Sequence, residues 1–224
     1  MDSLTIYKNF LLKVNKNDTS ANINISKGEF VILYNSQKRV WLEEKLKNKT
    51  TDIDIHDLEI LYIKDKKLIK KSFDSNSIHF LLPDNFFKFD SSFCIAQKEK
   101  CEDRVLINWL VKPKNVNIYL TDSNHEPSFE YEETFSIISE NKLITYIKDF
   151  KINQSYLSYY KEPINIDIEG YIKINGSKST TINQDDLDDK SIDEIINRCV
   201  IETLRIYENT EAFQLAQNRI KTEN

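Results

Sequence analysis

Apolar positions recur along this chain with two different periods, and the change between them divides it. Near the start, Leu4, Tyr7, Leu11 and Val14 fall at helical spacing behind Asp2-Ser3, residues suited to cap a short helix. The Asn-, Lys- and Thr-rich stretch from Asn15 to Asn24 reads as a loop. Ser26 and Glu29 then form a capping box. Behind them Phe30, Leu33, Tyr34, Val40, Trp41 and Leu46 keep one face apolar. Lys38, Arg39, Glu43, Glu44, Lys45 and Lys47 cover the others, so the pattern predicts a surface helix over 27–47.

After Thr51 the helical period is lost. Leu58–Ile63 and Leu68–Ile69 are short apolar runs around Lys64-Asp65-Lys66-Lys67, which reads as a charged hairpin tip. Ile78–Leu82 stops at Pro83-Asp84, because proline cannot donate to a strand ladder. Further strands are expected at Phe93–Ala96, Val105–Val111 and Val116–Leu120, with Thr121–Glu126 a polar connection. An extended, aromatic-rich run follows over 127–135. Phe135–Ile138 and Leu143–Ile147 flank Ser139-Glu140-Asn141-Lys142 and predict a hairpin. Ile152–Tyr160 alternates in part. Ile164–Ile174 carries the clearest period of two, with Ile164, Ile166 and Ile168 on one face and Asn165, Asp167 and Glu169 on the other.

Residues 175–190 are polar and then acidic. Ser191 and Glu194 make a second capping box, and Ile192, Ile195, Ile196, Cys199, Val200, Leu204 and Tyr207 recur at helical spacing. With no internal repeat and no Pro/Gly-rich linker, one domain over 1–224 is expected: a helix at 26–48, a β core at 58–182 and a C-terminal helix at 191–221. The class is α+β, with a mostly antiparallel, sandwich-like β core between N-terminal helices and a C-terminal amphipathic helix.

Composition narrows the function classes. A chain of 224 residues can bury about 70% of its unfolded surface. Apolar residues at 40%, with 12 Phe and 11 Tyr, exclude a disordered polar chain. Only 3 Gly and 4 Pro argue against phosphate-cradling loops. The formal charge of -5 gives no general pull toward nucleic acid or anionic membrane. No signal peptide and no membrane span are read.

Candidate chemistry is sparse. Cys94 and Cys101 lack a second pair and a neighbouring His, so free thiols fit them better than zinc. Cys199 sits on the apolar face of the last helix as a small buried hydrophobe. His56, His79 and His125 lie in separate segments. His125-Glu126 beside Asp122 could be drawn as an acid/base group, although a polar loop explains the same residues. Glu130, Glu132 and Glu133 alternate with Phe129 and Tyr131 as the solvent face of a strand would; paired glycosidase carboxylates would look similar. The five lysines of Lys64–Lys71 lack stacking aromatics and fit a solvated tip better than a nucleic-acid patch. The acidic run 185–189 leads into the helix. Trp41 and Trp109 lie in apolar patterns and are expected in the core. No catalytic, cofactor-binding or metal-ligating set emerges, and no enzyme is expected.

The order of elements nevertheless resembles a family. Leu82-Pro83-Asp84 is followed by Pro127-Ser128-Phe129-Glu130-Tyr131, and Asn141-Lys142 precedes Tyr146-Ile147-Lys148-Asp149-Phe150. Tyr159-Tyr160-Lys161-Glu162-Pro163 leads to the acidic loop and Ile192-Asp193-Glu194-Ile195-Ile196-Asn197-Arg198-Cys199-Val200. Over about residues 26–220 this is similar to the head-to-tail connector proteins of tailed bacteriophages, especially the crAss-like, short-tailed type. The resemblance implies a non-enzymatic virion protein made in the host cytoplasm, with no cofactor. It implies a homo-oligomeric ring of about twelve copies that meets the portal and other neck and tail proteins. DNA would pass through the channel without sequence-specific binding, and no membrane would be involved. A competing reading is a β-sandwich module that binds a carbohydrate or host receptor.

Overall fold

A computed structural model describes residues 1–17, 23–47 and 58–206. The expected α+β class holds, with strands forming one curled sheet. The chain divides into two compact units: Met1–Ile60 with Pro163–Asn224, and Leu61–Glu162.

The first unit is helical. Helix α1 spans Ser3–Asn17 and is capped by Asp2, whose carboxylate accepts from Thr5 N at 2.9 Å and Thr5 Oγ1 at 2.8 Å. Its buried face is Ile6, Phe10 and Val14; of the Leu4, Tyr7, Leu11 and Val14 stripe read in the sequence, only Val14 is buried. The three buried positions also lie at helical spacing, and the neighbouring helices select that face. Helix α2 spans Lys27–Lys47, as predicted. Its capping box is formed: Ser26 N and Oγ donate to Glu29 Oε2 at 2.9 and 2.7 Å. Phe10, Phe30 and Tyr34 form a chain of tilted rings, at 4.8 and 5.6 Å, that joins the two helices.

Helix α4, Asp189–Ile206, buries Ile192, Ile195, Ile196, Cys199, Val200 and Leu204, which is the predicted face. Its cap differs. Asp188 Oδ2 accepts from Lys190 N and Ser191 N, while Ser191 is buried inside the first turn. The expected continuation to 221 lies outside the described residues beyond 206, as does Tyr207.

Between Pro163 and Asp188 the structure has no strand, despite the clearest alternation in the chain. Side chains take the place of a neighbouring strand. Asn35 of α2 donates to Ile166 O at 3.0 Å and accepts from Ile166 N at 2.9 Å. Lys38 donates to Ile164 O at 2.7 Å, Ile164 N donates to Asp186, and Asn183 bridges Asp167 N and Asn165 O. Ile166 and Ile168 are buried, as a half-buried strand would have them. The expected period of two holds only for that pair, since Ile164, Ile172 and Ile174 are exposed, and its hydrogen bonds are not a ladder. Gly28 matters here, since a Cβ on it would lie 2.8 Å from the Tyr171 ring.

The second unit is the sheet. Its strands are β1 (Tyr62–Lys67), β2 (Ile69–Asp74), β3 (Ser77–Leu81), β4 (Phe86–Gln97), β5 (Arg104–Leu110), β6 (Glu133–Ser139), β7 (Lys142–Tyr146) and β8 (Lys151–Lys161). They are ordered β1-β8-β4-β5-β6-β7-β3-β2. The expected 64–67 hairpin tip is absent. β1 pairs with β8 and β2 with β3, although only Leu68 separates the two in the chain. Consecutive strands thus sit at opposite ends of the sheet, which must curl round to let one residue join them. Buried Leu68 anchors the corner by donating its N–H to Ser155 O at 2.9 Å.

Residues facing the inside of the curl are small or polar on several strands: Ser92, Cys94 and Ala96 on β4, Asn108 on β5, Ser136 on β6, Thr145 on β7. Short side chains suit a tightly curved sheet. The β6–β7 hairpin forms as predicted, with Glu140 and Asn141 both at positive φ, as a two-residue turn of this kind requires. Other expectations fail locally. Val116–Thr121 is a short helix, α3, because Pro113 opens a 3-10 turn that leads the backbone straight into helical angles. The aromatic run 127–135 is mostly turn: Ser128 and Glu133 exchange backbone hydrogen bonds at 2.9 and 3.1 Å, and Glu132 takes φ +57. The strand begins only at Glu133, so Glu130 and Glu132 do not line a strand face. Strands end at Lys161, short of the expected 182.

Candidate functional site

The one parallel pairing among the described strands, β5 with β6, creates the most distinctive surface. Parallel neighbours cannot be joined by a tight turn, so the chain from Val111 to Glu132 must cross over. That crossover carries α3 and builds one wall of a groove of about 370 Å³. Its walls include Trp109, Tyr119, Asn124, His125, Glu133 and Phe135.

The ring geometry follows from the crossover. Tyr119 of α3 lies over Phe135 of β6 at 5.3 Å and meets His125 edge-on, also at 5.3 Å. Phe135 stacks on Tyr146 of β7 at 4.8 Å, which buries it although it faces outward. Trp109 Nε1 donates to Glu133 Oε2 at 3.3 Å. The sequence-level acid/base candidates are partly brought together: His125 Nδ1 lies 2.7 Å from Asp122 Oδ2. A backbone hydrogen bond from Asn124 and the contact with His125 hold the Asp122 carboxyl below its ordinary range. Glu126 is drawn away to Lys148 at 2.6 Å. Chemically, the groove offers aromatic faces, an imidazole held by a carboxylate, and a carboxylate already turned to the indole.

Trp109 is not in the core. It is 55% exposed, and so are its neighbours on the same face of β5, Val105 and Ile107, at similar levels. Strand register extends this face sideways. Phe93 of β4 lies opposite Ile107 and Tyr156 of β8, stacking on the Tyr156 ring at 4.9 Å, and Ile95 lies opposite Val105. The inside of β5 is formed instead by Leu106 and Asn108. Ser136 Oγ lies 2.8 Å from Asn108 Oδ1 and 2.7 Å from Thr145 Oγ1, a buried polar network on the inward side. In the sequence, the alternation of Val105, Ile107 and Trp109 points to burial. The signal against it, small polar residues spaced to meet Asn108 across four strands, is visible only once the register is known.

The remaining candidates are dispersed. Cys94 and Cys199 are buried free thiols and Cys101 is exposed on the β4–β5 turn. Burial pushes the Cys94 thiol up to about 12, far from reactivity near neutral pH. His79 lies near Asp74 and two serines, and His56 lies outside the described residues. Glu130 is held below its ordinary range by Lys98, which also meets Asp149. Lys64–Lys71 occupies the two end strands, solvent-facing throughout except Leu68. Trp41 is fully buried, as expected.

Lys38, expected on the polar side of α2, and Asp185, expected in the acidic lead-in to the last helix, are the buried charges among the described residues. Lys38 is 1% exposed and its Nζ meets Asp185 Oδ2 at 2.6 Å. Asp185 also accepts from Tyr34 OH at 3.0 Å and Leu187 N at 3.0 Å. Burial lowers the Lys38 ammonium from its ordinary value, against the opposing pull of Asp185. Burial and Asp185 both push the Tyr34 hydroxyl upward. Among the described residues no group of His, Cys, Asp and Glu could hold a metal ion, and no helix is long and apolar enough to cross a membrane. Compared with protein-family models and with curated proteins, the chain finds no match in either.

Proposed function

We propose that this chain is a structural virion protein that forms a ring in the head-to-tail neck of a tailed bacteriophage, bridging portal and tail components. The observation that carries the reading is the outward apolar face of β5, where Val105, Ile107 and Trp109 stand in solvent beside Phe93 and Ile95. Contiguous apolar surface of this kind marks a place where another protein packs. The sequence resemblance over about 26–220 supplies the kind of assembly. A subunit with net charge -5 would also have little affinity for DNA threading the ring. Mass photometry and negative-stain imaging of the purified full chain test this: ring-sized particles are expected, and a monomer persisting at high concentration would sink it.

A second reading, a module that binds carbohydrate or a host receptor, is favoured by the groove itself. Trp109, Tyr119, Asn124 and His125 combine ring faces with polar groups, as sugar sites do. Glycan-array binding by a monomeric chain would favour it over the ring.

A further inference from the structure

The curled sheet does not close. β1 and β2 stand first and last in the strand order, so each has a neighbour on one side only, and their open edges diverge from Leu68. An open edge presents backbone N–H and C=O groups that another extended chain can pair. In β1 the edge is partly blunted: Asp65 takes φ +49 at a bulge and turns its N–H to Ser158 Oγ at 3.0 Å. β2 is exposed at all six positions and carries two large apolar side chains, Ile69 at 71% and Phe73 at 73% exposure. The bulge between Lys70 and Ser72 sets these two on opposite faces. Ile69 lies opposite Leu81, whereas Phe73 lies opposite Ile78, on the side of buried Phe80. A strand laid along β2 therefore gains one apolar neighbour on each of its faces.

Charge decides which kind of strand fits. Lys64, Lys66, Lys67, Lys70 and Lys71 crowd one short stretch of a chain whose net charge is -5, and none meets a carboxylate among the described residues. Lys70 rests over the Phe73 ring at 5.5 Å. The acids of the same strands are already engaged: Asp65 Oδ1 accepts from Ser158 Oγ at 3.1 Å, and Asp74 faces His79 at 3.0 Å. Two copies pairing edge to edge would set lysines against lysines, which disfavours a second copy as the occupant. Nucleic acid would answer the lysines but leave the backbone groups and both apolar side chains unused. An acidic polypeptide strand answers all three.

We propose that the open edge of β2 receives an extended, acidic segment of another protein as an additional strand, its backbone pairing along Ile69–Asp74 and its carboxylates meeting Lys70, Lys71 and the lysines of β1. This contact is separate from the ring reading and does not rest on it.

Fluorescence anisotropy with the full chain tests it. The probe is a short fluorescein-labelled peptide that alternates Glu and Val, with an alternating Lys–Val peptide as control. The acidic peptide should bind at least about tenfold more tightly than the basic one, and added salt should weaken it. N-methylation of the acidic probe at every second residue, in the two possible phases, separates strand pairing from plain charge attraction. A strand at an edge turns only alternate N–H groups to its neighbour, so one phase should lose about tenfold or more in affinity while the other keeps it. Lys70→Glu with Lys71→Glu should also weaken binding by about tenfold or more. If that variant misfolds by circular dichroism, Phe73→Ser is used, at an exposed position, with about a threefold loss expected. An acidic peptide that does not bind, equal effects of the two methylated phases, or binding indifferent to these substitutions would overturn the proposal. A DNA duplex that binds more tightly than the peptide, and is lost with the lysine variant, would assign the lysines to nucleic acid and overturn it as well.

Discussion

The helical unit buries one ion pair, whereas the sheet unit leaves an apolar stripe of β5 in solvent. In the first, Lys38 and Asp185 are both withdrawn from water, and each is answered by further partners: Ile164 O for the ammonium, Tyr34 OH and Leu187 N for the carboxylate. An irregular segment is thereby tied to α2 and to the lead-in of α4 without a strand ladder. In the second, serines, threonine and Asn108 line the inside of the curl while Val105, Ile107 and Trp109 face out. The difference separates two uses of buried polarity. In the helical unit it fixes a loop; in the sheet unit it lets strands curve tightly and leaves apolar surface for contact with something else. Stability should therefore depend most on the former and association on the latter.

Lys38→Met should break this contrast most severely. It strands the Asp185 carboxylate in a dry site, and the expected cost is about 3–5 kcal/mol in chemical denaturation. Adding Asp185→Leu should recover part of the loss, because the uncompensated charge is gone. A single substitution costing under about 1 kcal/mol would mean that the pair is not the fastening described.

Asp167 sharpens the comparison through pH. Burial works against its ionisation, but the contacts from Lys173, Tyr171 and Thr181 outweigh it and hold the carboxyl at about 2. Its unfolded value is near 3.9, so the folded pKa is depressed. The stability it contributes is then complete above about pH 4 and lost as pH falls toward 2. Asp167→Asn should cost about 1–2 kcal/mol at neutral pH, and the gap from wild type should shrink across that acid window. Denaturation curves at pH 6 and at low pH check this; a constant gap would refute the ionised hub. The smallest effect is expected at Trp109. Trp109→Ser should change stability by no more than about 0.5 kcal/mol, against several for truncating buried Trp41. A large loss in thermal melts would place Trp109 in the core after all.

Where local signals are self-contained, the sequence is a good guide. Ser26 and Glu29 bond to each other, so helix α2 starts where the capping box says. Glu140-Asn141 can both adopt positive φ, so the β6–β7 hairpin forms where it was expected. The apolar face of α4 is likewise readable, because six positions agree on one side. Errors begin where the partner of a residue is distant. Lys64–Lys67 reads as a hairpin tip because neighbours in sequence usually pair, but Leu68 sends β1 and β2 to different ends of the sheet. Trp109 reads as core because apolar alternation does not say which side of a curled sheet is inside.

By itself, then, the order of residues determined the class, the main helices with the caps of α1 and α2, and most of the strands, since these rest on spacing and short-range hydrogen bonds. Tertiary structure alone decided that Lys38 lies beside Asp185, that Ile164–Ile168 is held by side chains, and that Trp109 faces outward over a groove made by a crossover. The physical reason is common to all three. Whether a charge is buried or an indole exposed depends on what stands opposite it, and in this chain the opposing group lies up to more than a hundred residues away.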